Sequence, residues 1–196
     1  MKLTTTIACF VTPVLANASA LAQIGDGYVG VYADSLGTIA CSHVAQMTGT
    51  TLYVIAKTAG ASGNGIAGAE FRIEVTNAAG WYLSYTPPQT ANIVLGNPID
   101  LDPDPSAGGG LNLGFQRCQA PTEGGQVRLG TLSVFNASGG PTNLIVKRHS
   151  QPTNTTFSCA LFVACDDPYY SKACMTPAAS DTCTLATQKS ISNGLV

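Results

Sequence analysis

Between Ala69 and Thr76 apolar and polar side chains alternate without a break: Ala69, Phe71, Ile73 and Val75 point one way, and Glu70, Arg72, Glu74 and Thr76 the other. A period of two is the pleat of a β-strand with one face on a core and one wet face. Similar runs rich in Val, Ile, Tyr, Phe and Thr begin at Gly27, Thr38, Thr51, Trp81, Leu111, Gln126, Asn143, Thr156 and Thr182, separated by clusters of Gly, Pro, Asn and Asp. About ten short strands at this spacing predict an all-β fold, a two-sheet antiparallel β-sandwich. At Gly130 the alternation changes phase, with Val127 and Leu129 on one parity and Leu132 and Val134 on the other. A bulge, or a strand crossing between sheets, would do this.

The N-terminus reads as a signal peptide over residues 1–22, followed by one domain over 23–196. Met1 and Lys2 supply a short basic start, Leu3 to Leu15 an apolar stretch, and Ala16, Ala18, Ala20 and Ala22 a series of small cleavage-type residues. The apolar stretch is shorter than the roughly 20 residues a spanning helix needs, so export and cleavage, leaving Gln23 first, are expected. No later segment offers a transmembrane span. The 174 residues after the leader suit a single domain. The formal net charge is −2, or −3 without Lys2, and charged residues are only 10% of the chain. Nucleic acid and anionic lipid are therefore excluded as expected partners.

Of seven cysteines, Cys9 falls in the leader, which leaves Cys41, Cys118, Cys159, Cys165, Cys174 and Cys183. An even number in an exported chain reads as a disulfide framework around a loop-rich C-terminal region. The last four could be drawn as a zinc site, but their gaps of five, eight and eight residues exceed those of zinc knuckles. Six cysteines allow 15 connectivities. A bridge from Cys165 to Cys174 would close a short loop, stabilise by about 3 kcal/mol and order Asp166, Asp167, Tyr169 and Tyr170.

Two long connections, Thr86–Gly110 and Asp166–Asp181, are where loop-borne function is expected. The first holds Asp100, Asp102 and Asp104, alternating carboxylates like the opening of a calcium loop, and a structural calcium is the one cofactor they suggest. Pro105 and Leu111 stand where such a loop needs its Gly and its last acidic ligand. Catalytic groups are sparse. His43 and His149 are the two histidines, no nucleophile-elbow or zinc-protease motif surrounds them, and Glu70 and Glu74 lie about 13 Å apart along one strand. Trp81 and Tyr85 share a parity, and Trp81 is expected to pack in the core. Tyr82 opposes them and, with Tyr169 and Tyr170, is a candidate for ligand binding through stacking on sugar rings. The sequons at Asn136 and Asn154 are incidental outside a glycosylating host.

The strings GVYADSLGTIAC, GIAGAEFRIEV followed by GW, NIVLGNP, GGGLNLGFQRCQ and FSCALFVACDDPYYSKAC resemble an uncharacterised family of secreted bacterial β-sandwich proteins with cohesin-like or immunoglobulin-like modules. The resemblance spans nearly all of residues 28 to 175 and implies export and a non-enzymatic sandwich, without a ligand or catalytic residue to carry over. No recognisable sorting domain precedes Val196, so release or periplasmic retention is expected as readily as surface attachment. Three functions follow in order: a structural, adhesive or protein-interaction module at the envelope or outside the cell, a carbohydrate-binding module, and a secreted hydrolase. The expected partner is a protein or a polysaccharide at the cell surface.

Overall fold

The structure, a computed structural model, describes residues 27–39, 44–59, 63–102, 109–122, 124–153, 155 and 159–165, and the backbone of 172–175 and 183–185. Twelve strands occur among them: β1 (Gly27–Tyr32), β2 (Thr48–Thr58), β3 (Ile66–Thr76), β4 (Trp81–Thr86), β5 (Ala91–Asn97), β6 (Ile99–Leu101), β7 (Gly110–Gln119), β8 (Gln126–Asn136), β9 (Thr142–Lys147), β10 (Ala160–Ala164), β11 (Lys172–Met175) and β12 (Cys183–Leu185). No helix is present among the described residues, and none is long and apolar enough to cross a membrane.

The strands form two sheets. One has four strands in the order β1-β2-β8-β4. The other has eight, with β11-β10-β3-β7-β5 along its main path, β9 and β6 on the second half of β3, and β12 on β9. All pairings are antiparallel except β3 with β6. Between the sheets lies one core, in which Val31, Leu52, Val54 and Leu132 from the smaller sheet meet Phe71, Ile73, Leu111 and Phe162 from the larger. The inward half of the β3 alternation is as expected, with Ala69, Phe71, Ile73 and Val75 all buried.

Gly130 marks a bulge. The register of β2 against β8 shifts between Val54 and Ile55, opposite Gly130 and Arg128. The extra residue lets Val127, Leu129, Leu132 and Val134 all stay buried despite their change of parity. Gly130 has φ +152, and a Cβ there would stand 2.5 Å from the Tyr85 ring. Tyr85 also donates its hydroxyl to the Leu129 carbonyl and meets Phe71 edge-on at 6.5 Å. Burial raises the Tyr85 phenol far above its ordinary value, so it remains a donor.

Several expectations need correction. The Thr86–Gly110 connection contains β5 and β6, and the Asp166–Asp181 connection contains β11. β5 carries no alternation because it is an edge strand exposed along nearly its whole length. The run from Thr38 forms no strand over residues 38, 39, 44 and 45, and the rest of it, with Cys41 and His43, lies outside the described residues.

Cys165 is bonded to Cys118, not to Cys174. Cys174 pairs in register with Leu161, four residues back along β10, whereas Cys118 at the end of β7 has its Cα 5.7 Å from that of Cys165. Cys159 is disulfide-bonded as well.

Candidate functional site

The outer face of β3 is not wet. Arg72 bonds Asp100 at 2.9 Å through Nη1 and Glu74 through Nη2, and Lys147 reaches the other oxygen of Glu74 at 3.2 Å. Register explains the cluster: Arg72 lies opposite Lys147 on β9, and Glu74 beside Asp100 on β6. Further along β3, both oxygens of buried Glu70 accept the Thr153 backbone N–H, at 3.0 and 3.1 Å. The residues that alternation marks as solvent-facing are thus held by charge pairing and by a loop folded over them.

Beyond Glu70 the same face opens into a groove of about 170 Å³. Gly68 and Gly114, opposite each other in the β3–β7 register, form its floor. Ile93 of β5 makes one wall, lying over Gly114, and Leu161 and Val163 of β10 make the other, with Glu70, Asn112 and Thr153 as its polar residues. Past Ile93 the sheet ends at β5, where Ile93, Val94 and Leu95 are 51%, 40% and 62% exposed. Glu70, whose carboxylate is occupied by the Thr153 N–H, is the one ionisable side chain among the described residues that line the groove. The surface is shaped to bury apolar area.

The smaller sheet presents a different outer face. Tyr82 is 66% exposed and Phe135, its cross-strand partner, 38%, with ring centroids 6.4 Å apart. Trp81 points inward, as expected, and its Nε1 donates to the Gly140 carbonyl at 2.8 Å. Tyr169 and Tyr170 lie outside the described residues, so Tyr82 stands with Phe135. Sequence reasoning missed Phe135, although its parity opposes the inward Leu132 and Val134 and could have flagged it.

The two described members of the acidic triplet, Asp100 and Asp102, have separate partners. Asp100 is buried on Arg72, Asp102 accepts the Ala78 N–H at 3.0 Å through Oδ1, and Asp104 lies outside the described residues. No group of three potential ligands comes together among the described residues. His149 accepts the Gln151 N–H on Nδ1 at 3.0 Å, within its own turn. Asn136 is a buried bridge and not a surface sequon: its Nδ2 donates to the Val44 carbonyl at 3.1 Å and its Oδ1 accepts the Gly139 N–H at 2.9 Å.

The described residues thus form a disulfide-bonded, two-sheet β-sandwich whose two outer faces differ in chemistry. Among solved structures the chain superposes on the sixth cohesin of scaffoldin B from Acetivibrio cellulolyticus, crystallised in complex with a Cel5 dockerin. The TM-score is 0.50 and the identity 11%, over 83% of this chain and 99% of that one. At this identity the likeness is one of fold. No family model and no curated protein matches the chain.

Proposed function

We propose that the protein is a non-catalytic interaction module working outside the cytoplasm, and that it takes a protein partner on the outer face of the larger sheet. The observation that carries this reading is the groove between Ile93 and the Leu161–Val163 wall, continued by the exposed apolar edge of β5. An edge strand has unpaired N–H and C=O groups that an extended segment can extend, while the neighbouring groove accepts alternate side chains of that segment. Val94 and Leu95 left bare on such an edge favour a partner that covers them. The cohesin it resembles was crystallised with a dockerin, which supports a protein ligand by analogy of fold. Export is supported by the leader-like residues 1–22 and by the Cys118–Cys165 bond, which persists in an oxidising compartment.

The test is capture from envelope and extracellular fractions by immobilised protein, comparing the native sequence with Ile93→Asp and Val163→Asp variants of unchanged melting temperature. A partner retained by the native protein and lost by both variants is expected. The same proteins retained by all three would remove this face as the site. N-terminal sequencing of the secreted material, expected to begin at Gln23, checks the compartment independently.

A further inference from the structure

We propose that the outer face of the four-stranded sheet is a second binding surface, and that its ligand is a neutral polysaccharide chain. Three rows of side chains cross this face in register. Gly49, Phe135 and Tyr82 form the first, Thr51, Ser133 and Ser84 the second, and Tyr53, Thr131 and Thr86 the third. The first row is an aromatic platform, whose rings lie 6.4 Å apart and 45° from parallel. Gly49 leaves the flank of Phe135 open, where an added Cβ would stand 3.7 Å from its ring. The second row is made of hydroxyl groups only. A shallow hollow joins these two rows.

The chemistry selects one class of ligand. None of the nine positions carries a charge, and Arg128 stands beside the third row with its guanidinium over the Tyr53 ring at 5.2 Å. One exposed guanidinium beside the third row is too little positive charge to hold nucleic acid or an acidic polymer. A protein partner needs an apolar centre within roughly 800 Å² of buried surface per side, and two rings flanked by hydroxyls do not supply it. A sugar ring fits both halves of the patch. Its C–H face carries partial positive charge that rests on the negative face of an aromatic ring. Its hydroxyl edge exchanges hydrogen bonds with Thr51, Ser133 and Ser84, directly or through water. This surface lies on the sheet opposite the proposed protein-binding groove and does not depend on it.

Affinity electrophoresis through gels containing xylan, mannan, mixed-linkage β-glucan or starch, with pull-down on insoluble cellulose, tests the proposal on the full secreted chain. At least one of these neutral polymers should retard the native protein. Tyr82→Ala and Phe135→Ala should each weaken that binding about tenfold, the effect of losing one ring contact. Tyr82→Phe, which keeps the ring, should bind nearly normally, and Ser133→Glu should bind poorly, all at unchanged melting temperature. Val163→Asp, on the other sheet, should bind like the native protein. Retention of none of the five polymers overturns the proposal. So does binding indifferent to both alanine substitutions, binding abolished by Val163→Asp, or a preference for a carboxylated polymer such as polygalacturonate.

Discussion

The two sheets share one core yet differ in how their outer faces are held. On the larger sheet the outward side chains of β3 are locked into ion pairs, Arg72 with Asp100 and Glu74, and a loop lies over Glu70. On the smaller sheet Tyr82, Ser84 and Ser133 stand in solvent. The larger sheet is also cross-linked, since the Cys118–Cys165 bond joins β7 to the residue following β10 across the start of β3. Period-two alternation therefore identifies which side of a strand faces the core. It leaves open whether the other side is wet, because that depends on which strand lands beside it.

The largest effect should come from the cross-link. Cys118→Ala with Cys165→Ala opens a closure of 47 residues and should cost about 4 kcal/mol in urea unfolding, by the entropy it restores to the unfolded chain. Hydrogen exchange sharpens the comparison: amides of β10, β3 and β7 should lose protection before those of β2 and β8. Equal early loss in both sheets would mean that the bond does not stabilise the larger sheet selectively.

Next comes the charge cluster. Arg72→Met leaves the buried Asp100 carboxylate without its cation and should cost about 3 kcal/mol. The matching change on the other face, Arg128→Met, removes an exposed guanidinium from the Tyr53 ring and should cost less than about 1 kcal/mol. Similar costs at both positions would erase the contrast between the faces.

Much of the sandwich was legible in the sequence, and the parts that were not have a common cause. The inward residues of β3, the parity of Trp81 against Tyr82 and the phase change at Gly130 are local patterns, and each has its counterpart in the fold. β5 escaped because an edge strand exposed on both sides carries no alternation. The partner of Cys165 escaped for another reason. Sequence proximity favours Cys174, but strand order brings in Cys118 from 47 residues away. The groove has the same origin. Gly68, Ile93, Gly114 and Val163 are unremarkable singly, and only the order β10-β3-β7-β5 makes them one surface. Phe135 is the exception, since its outward parity was readable while its pairing with Tyr82 was not.

The smallest effect concerns the loop over the smaller sheet, the counterpart of the loop anchored on Glu70. Here the carboxylate belongs to the loop itself: Asp34 Oδ1 accepts the N–H groups of Thr38 at 2.9 Å and Ile39 at 2.7 Å, and Oδ2 accepts the Leu36 N–H and the Thr38 hydroxyl. This folds Gly37 down onto Ile55. Burial would raise the Asp34 carboxyl, but the donors of Ile39, Thr38 and Leu36 outweigh it and hold the group below its ordinary 3.8. A lowered value in the folded state means that the folded protein binds this proton less readily than the unfolded chain does. Its stabilising contribution is therefore complete above pH 3.8 and fades as the pH falls toward the folded value. Asp34→Asn turns one acceptor oxygen into an NH₂ that faces donors, so the variant should be slightly less stable than the native protein at neutral pH. That gap should close in acid, as thermal melts between pH 7 and pH 3, about a unit below the ordinary carboxyl range, can show. A gap that persisted unchanged at the acid end would mean that the loop is held by its shape and not by the charge on Asp34.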